Sequence, residues 1–187
     1  MGYIFEPGIL QQIARDALSK NPAMEDLVPS IVAELYKRYP GHINTTPEWV
    51  FNNAGGAMGA MYILHASISE YVMIFGTPLG TEGHTGRFAA DDYFIILNGE
   101  QWAFEPGQFA PEIYRPGDMH HLRRRQAKQY RMAGGCWALE YARGVIPAML
   151  PFGVADTFTS TLDFRTLIRT LWLYATSAVR ELLHGKI

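Results

Sequence analysis

The apolar positions of this chain change period twice. From Pro7 to Leu18 they recur at helical spacing, in Gly8-Ile9-Leu10-Gln11-Gln12-Ile13-Ala14-Arg15-Asp16-Ala17-Leu18. Pro7 stands where a helix tolerates proline, at its opening position. Asn21-Pro22 breaks the pattern. A second amphipathic stretch covers roughly 24–38, with Leu27, Ile31, Leu35 and Tyr36 on one face. Pro29 fits only near its first turn, and Pro40-Gly41 ends it.

From about 49 to 141 the pattern is that of strands. Residues 60–75 are too long for one strand and read as two, meeting near Ala66–Ser69. Turns are expected at 76–80, at Gly83-His84-Thr85-Gly86, at Glu105-Pro106-Gly107 and at Arg115-Pro116-Gly117-Asp118. Asn98-Gly99 predicts a hairpin. Short strands punctuated every 8–12 residues or so predict a sandwich or barrel. Proline-glycine turns between them fit a cupin-like jelly roll. After residue 141 the helical period returns. Val145 to Phe158 is nearly all apolar, and Ser160-Thr161 can cap a helix over Leu162–His184. The expected organisation is one domain over 1–187: an N-terminal helical region (1–48), a β-barrel (49–141) and C-terminal helices (142–187) covering the barrel. Leu171, Trp172 and Tyr174 widen the apolar face of the last helix, and Arg165, Arg169 and Arg180 border it. That face suits a core helix or one lying on a membrane surface.

Composition narrows the partners. Of 187 residues, 48% are hydrophobic and 18% charged, below the roughly 25% charged of an average soluble domain. A net charge of −2 gives no general affinity for nucleic acid. A single cysteine, Cys136, forms no intrachain disulfide. No stretch has the basic flank and apolar core of a signal peptide, and none reaches the roughly 20 apolar residues of a membrane span.

Against this background two acidic positions stand out. Glu140 interrupts the apolar run Gly135-Cys136-Trp137-Ala138-Leu139-Glu140-Tyr141, and a carboxylate there is costly unless paired, protonated or used. Asp91-Asp92 opens Tyr93-Phe94-Ile95-Ile96-Leu97. Alternation sends only one aspartate inward: Asp92 shares a face with Phe94 and Ile96, and Asp91 with Tyr93 and Ile95. One bland alternative is an ion pair of Glu140 with Arg143 or Arg87; another is a solvated strand start at the aspartates. The chemical reading is an acid/base pair in an apolar cavity. His120-His121 cannot both ligate one ion, since neighbours in a strand face opposite ways. With no His-x-His anywhere, no metal is expected. His65 and His84 read as structural, and Arg123-Arg124-Arg125 as a solvated loop. Asn53-Ala54-Gly55-Gly56-Ala57-Met58-Gly59-Ala60 lacks the lysine of a phosphate loop and reads as tight packing.

Several long motifs resemble the fungal sterol C-8 isomerases and their relative, the sigma receptor. They are Trp49–Met61, Leu64–Tyr71, Gly83–Arg87, Glu140–Pro147 and Ala155-Asp156-Thr157. The resemblance implies a cupin-like β-barrel closed by two C-terminal helices on the endoplasmic reticulum membrane. It also implies an N-terminal anchor preceding the region that begins here, and homotrimers. It places a ligand-binding glutamate at Glu140, its tyrosine partner at Tyr71, and cavity-lining positions at Met61, Ile63, Met73, Phe75, Met132, Leu150, Thr170 and Tyr174. The receptor's second carboxylate falls on Phe94, a further wall position. This chain carries Asp92 instead, two residues earlier on the same face, which points to the enzyme branch.

The activity implied is migration of a sterol double bond from Δ8 to Δ7 by protonation and deprotonation. Asp92, Glu140 and Tyr71 would carry the reaction, with no cofactor. The implied ligands are sterols and cationic amphiphilic inhibitors. A non-catalytic receptor-like module sharing the pocket is the alternative. A metal-dependent cupin oxygenase is a third reading, disfavoured by the histidine pattern.

Overall fold

A computed structural model describes residues 2–21 and 23–186; the expected break at Pro22 lies outside them. Two helices come first, α1 (Pro7–Leu18) and α2 (Met24–Arg38). Pro7 opens α1 as expected. Pro29 lies in the second turn of α2 and does not end it. Leu27, Ile31, Val32 and Leu35 are buried, whereas Tyr36, expected beside them, is half exposed. The buried stripe follows the 3–4 spacing through Val32, one residue away from the stripe expected.

Eight strands follow: β1 (Trp49–Ala54), β2 (Ala57–Ala66), β3 (Glu70–Thr77), β4 (Thr81–His84), β5 (Ala90–Phe104), β6 (Glu112–Tyr114), β7 (Met119–Leu122) and β8 (Gln129–Gly144). They form one antiparallel sheet in the order β1-β2-β3-β8-β5-β6, with β4 added to β8 and β7 to β5. The sheet is rolled, and no backbone ladder pairs its ends into a closed barrel among the described residues. β1 and β2 turn on Gly55-Gly56, both at positive φ, which L-residues with a Cβ resist. Gly83-His84, expected in a turn, instead end the short strand β4.

Asn98-Gly99 is not a hairpin. β5 runs straight through it for 15 residues, and the ladder to β8 slips on either side of Asn98. Gly99 has φ +76°, and a Cβ there would lie 2.2 Å from the Gly135 carbonyl oxygen. The dipeptide supplies the left-handed conformation of a bulge rather than of a turn, and such bulges bend long strands.

The sheet buries both faces. On one, Leu64, Val72, Ile74, Tyr93, Ile95, Leu139 and Tyr141 pack against α1, α2 and Phe5. On the other, Met61, Ile63, Tyr71, Phe75, Ile96, Ala138 and Ala142 face inward. Over that inner side lie α3 (Leu150–Asp156), a wider turn at 157–161, and α4 (Phe164–Leu183). The cap of α4 is Asp163, whose Oδ1 accepts from Thr166 N at 3.0 Å; Ser160-Thr161, the expected cap, belong to the preceding turn. Tyr174 donates to the Ser67 carbonyl at 2.8 Å, and Ser177 accepts from Ala66 N at 3.1 Å, which fixes α4 to β2. At the far end of α4, buried Glu181 meets His42 Nδ1 at 2.7 Å. Lys186 reaches buried Glu70 at 2.8 Å.

Candidate active site

Between the rolled sheet and α3–α4 lies an apolar cavity. Its wall includes Met61, Ile63, Tyr71, Met73, Phe75, Asp92, Phe94, Glu140, Leu150, Thr170 and Tyr174. Every expected wall residue except Met132 is among them. Met132 is fully buried in the inner core and is not part of the wall. It sits beyond the bulge in β8, paired with Gln101 and Thr81.

The strands bring the two carboxyls together by register. Phe94 of β5 is directly opposite Glu140 of β8, and Asp92 opposite Ala142. On the other side of β8, Met73 faces Glu140 and Tyr71 faces Ala142. Period-2 alternation then aims Asp92, Glu140 and Tyr71 into the same space. The Tyr71 hydroxyl donates to Glu140 Oε1 in a short hydrogen bond. Asp92 Oδ1 has no hydrogen-bond partner among the described residues.

Among the described residues neither carboxyl forms an ion pair. Arg143 donates to the Tyr93 hydroxyl at 3.1 Å and lies over Tyr3 and Tyr93, while Arg87 donates to the Arg125 carbonyl. Burial therefore dominates. It pushes Asp92 up to about 7, opposed only by the Tyr93 backbone N–H. Glu140 is raised well above its usual value by burial first and by the charge of Asp92 second; the Tyr71 hydrogen bond pulls the other way. Two such groups titrate as a unit, and near neutral pH that unit holds a proton alongside an ionisable partner. Asp91 is the contrast. It faces out, 3.1 Å from His121 Nε2 and 3.0 Å from Arg124 Nε. Against the upward push of partial burial, hydrogen bonds from His121 and Arg124 hold it below its ordinary value.

The cavity has polar residues that sequence reading did not assign to it, His120 and Gln101. Alternation alone could have sent His120 inward, but only the β5–β7 pairing shows that it faces the space beside Phe94. His121 points the other way and stacks on Tyr93 at 4.3 Å. His65, read as structural, accordingly contacts the His42 carbonyl at 2.9 Å. His42, His65 and Glu181 converge at the base of α4. Arg180 Nε lies 3.7 Å from Glu181 Oε1 beside that cluster.

A rolled antiparallel sheet enclosing an apolar cavity, with two buried carboxyls at raised pKa, defines a binder of apolar molecules equipped for proton transfer. The chain belongs to the family described as ERG2 and Sigma1 receptor like protein, whose model matches residues 1–186. It is 58% identical over 186 residues to the C-8 sterol isomerase erg2 of Aspergillus fumigatus, covering 98% of this chain and 78% of that protein. The C-8 sterol isomerase ERG2 of Gibberella zeae is 55% identical over 188 residues, covering 99% and 79%. Sigma non-opioid intracellular receptor 1 of Gallus gallus is more distant, at 40% over 181 residues, covering 96% and 81%. Among solved structures, an RmlC-like cupin of Shewanella frigidimarina is 14% identical over 54% of this chain and 85% of that chain, with a TM-score of 0.44.

Proposed function

We infer that this chain is a sterol C-8 isomerase that moves a ring double bond from Δ8 to Δ7. The observation that carries the inference is the Asp92–Glu140 pair: two buried carboxyls facing one apolar cavity, without an ion-pair partner among the described residues. The names of the fungal relatives agree with it. In the reaction, a protonated carboxyl adds H⁺ at C-9, leaving a tertiary cation at C-8. A carboxylate then removes H⁺ from C-7, and the electron pair of that C–H bond becomes the new C=C. Atoms and electrons balance without a redox partner. Burial keeps a carboxyl protonated at neutral pH, as the first step requires. The remaining negative charge and the rings of Phe75, Phe94 and Tyr130 around the cavity favour the cation. Tyr71 holds Glu140 in place.

The substrate class also bears on the outer surface. No helix among the described residues is long and apolar enough to cross a membrane. Yet Phe158, Leu162, Ile168, Trp172, Val179 and Leu183 all stand exposed on α3–α4 and the turn between them. This band flanks the cavity rim, where Phe51, Met58 and Leu171 are accessible. We place it against a membrane surface, the endoplasmic reticulum being the expected one, so that a lipid passes from bilayer to cavity without crossing water.

The test is incubation of purified protein, in detergent, with a Δ8 sterol. Turnover to the Δ7 isomer is expected, and Glu140→Gln should lower it at least about a hundredfold. Sterol binding without turnover would favour the receptor-like alternative. Near-normal turnover by Glu140→Gln would remove Glu140 from the chemistry.

A further inference from the structure

The buried part of the cavity wall contains a polar group that the proton chemistry does not use. His120 is 2% exposed, and so is Gln101. His120 Nδ1 lies 2.8 Å from Gln101 Oε1, so Nδ1 carries the ring proton and donates it. The ring stacks on Tyr114 at 4.5 Å and 21°. Tyr114 is itself fixed by donating to Glu112 at 2.6 Å. Held on these sides, the imidazole is left with Nε2, a bare acceptor with no hydrogen-bond partner among the described residues. A buried polar atom without a partner is costly. Burial, with help from Lys128, holds the ring down to about 4, so near neutral pH it is uncharged and offers a lone pair.

Position gives this acceptor a meaning. His120, Phe94, Glu140 and Met73 form one row across β7, β5, β8 and β3. With strands about 4.8 Å apart, the backbones of His120 and Glu140 are separated by about 10 Å. A fused-ring lipid lying over Phe94 can therefore reach the carboxyl pair with one part and His120 with another. Phe51, Met58 and Leu171 of the same wall are accessible, whereas His120 and Gln101 are buried.

We propose that His120 Nε2, oriented by Gln101, accepts the hydrogen bond of the sterol's ring hydroxyl and so sets the substrate's register over Asp92 and Glu140. The proposal rests on the sterol reading above. The alcohol head then lies against buried His120, and the hydrocarbon part lies along the apolar wall. A site built for a hydroxyl discriminates strongly against an analogue without one, because its own polar atom is then left unpaired.

The experiment compares a 3-hydroxy Δ8 sterol with its 3-deoxy analogue, in wild type and in His120→Leu. Wild type should prefer the hydroxylated sterol by about tenfold to a hundredfold in kcat/KM. His120→Leu should lose that preference by slowing only the hydroxylated substrate, and should still bind a tertiary-amine amphiphile, which reports an intact fold and carboxyl pair. Equal slowing of both sterols, or no change in either, would overturn the assignment. If His120→Leu does not fold, His120→Phe keeps the ring and its stack while deleting the acceptor. The same four combinations are read by ligand-induced thermal stabilisation. If wild type turns over neither sterol, the isomerase reading fails, and this binding arm still decides the subsite: stabilisation independent of the hydroxyl overturns it.

Discussion

Neutralising Asp92 should make the protein more stable while disabling it. In the folded chain, burial raises this carboxyl from its ordinary 3.8 to about 7. Between those values the native state binds the proton and the unfolded state does not, so stability falls as pH rises through the window. Above it, the accumulated cost is about 4 kcal/mol, at 1.36 kcal/mol per pH unit. Asp92→Asn removes that cost and also the repulsion that Asp92 exerts on Glu140. The amide adds little new polar penalty, because Asp92 Oδ1 already lacks a partner among the described residues. Allowing for imperfect amide packing, a net gain on the order of 2 kcal/mol remains, which raises Tm by roughly 5 °C in a chain of this size. The assay is intrinsic-fluorescence melting in detergent from about pH 4 to pH 8. The gain should be full at the alkaline end and vanish at the acid end, where wild-type Asp92 is protonated as well. Turnover of the Δ8 sterol should fall at least about a hundredfold throughout. A Tm difference independent of pH, or a variant less stable than wild type at the alkaline end, would refute the reasoning.

Other outcomes follow from the same geometry. Asp91→Asn, one residue away on the outer face, should keep sterol turnover within about threefold of wild type; reversed sensitivities of the two aspartates in that assay would show that the inward carboxyl is Asp91. A protonated tertiary amine on an apolar frame mimics the C-8 cation, so its affinity, measured by competition binding, should fall in Glu140→Gln by about tenfold or more, and that of a neutral sterol far less. Serine at Ile168, Trp172 and Leu183 should weaken co-flotation with liposomes and slow turnover of membrane-embedded sterol, while turnover of detergent-dispersed sterol stays unchanged; a wild-type chain that never floats would make this face an ordinary surface.

The acidic pair was legible because the sequence breaks its own rules there. A carboxyl in an apolar strand is an anomaly visible without any structure; alternation showed that only one aspartate joins Glu140, and the family resemblance pointed to Asp92, because both faces of that strand are apolar. The strand pair meeting near Ala66–Ser69 was also found from length, although β5 and β8 show that a single strand of 15 or 16 residues occurs in this sheet. Asn98-Gly99 misled because a hairpin and a bulge ask the same positive φ of glycine, and only the long ladder to β8 tells them apart. β4 was hidden by its flanking glycines, Gly80 and Gly86, which mark turns on both sides of a strand only four residues long. His120 and Gln101 were invisible as a pair because they lie on different strands, and no local pattern records which strands become neighbours.

The sheet order has a consequence for how the chain is made. β8 is the last strand to be synthesised, yet it lies in the middle, with β3 on one side and β5 on the other. Until Gly144 has emerged, β3 and β5 each keep an open edge, and the contacts that would cover them are far away along the chain. Such non-local pairing is slow and leaves edges free to join another chain. The nascent protein therefore depends on shielding until its final third is available. A chain ended before β8 has no route to a stable sheet, whatever its N-terminal helices do. Because Glu140 travels on that same strand, completion of the fold and arrival of the second carboxyl are one event, and no partly built chain can bind or protonate a sterol.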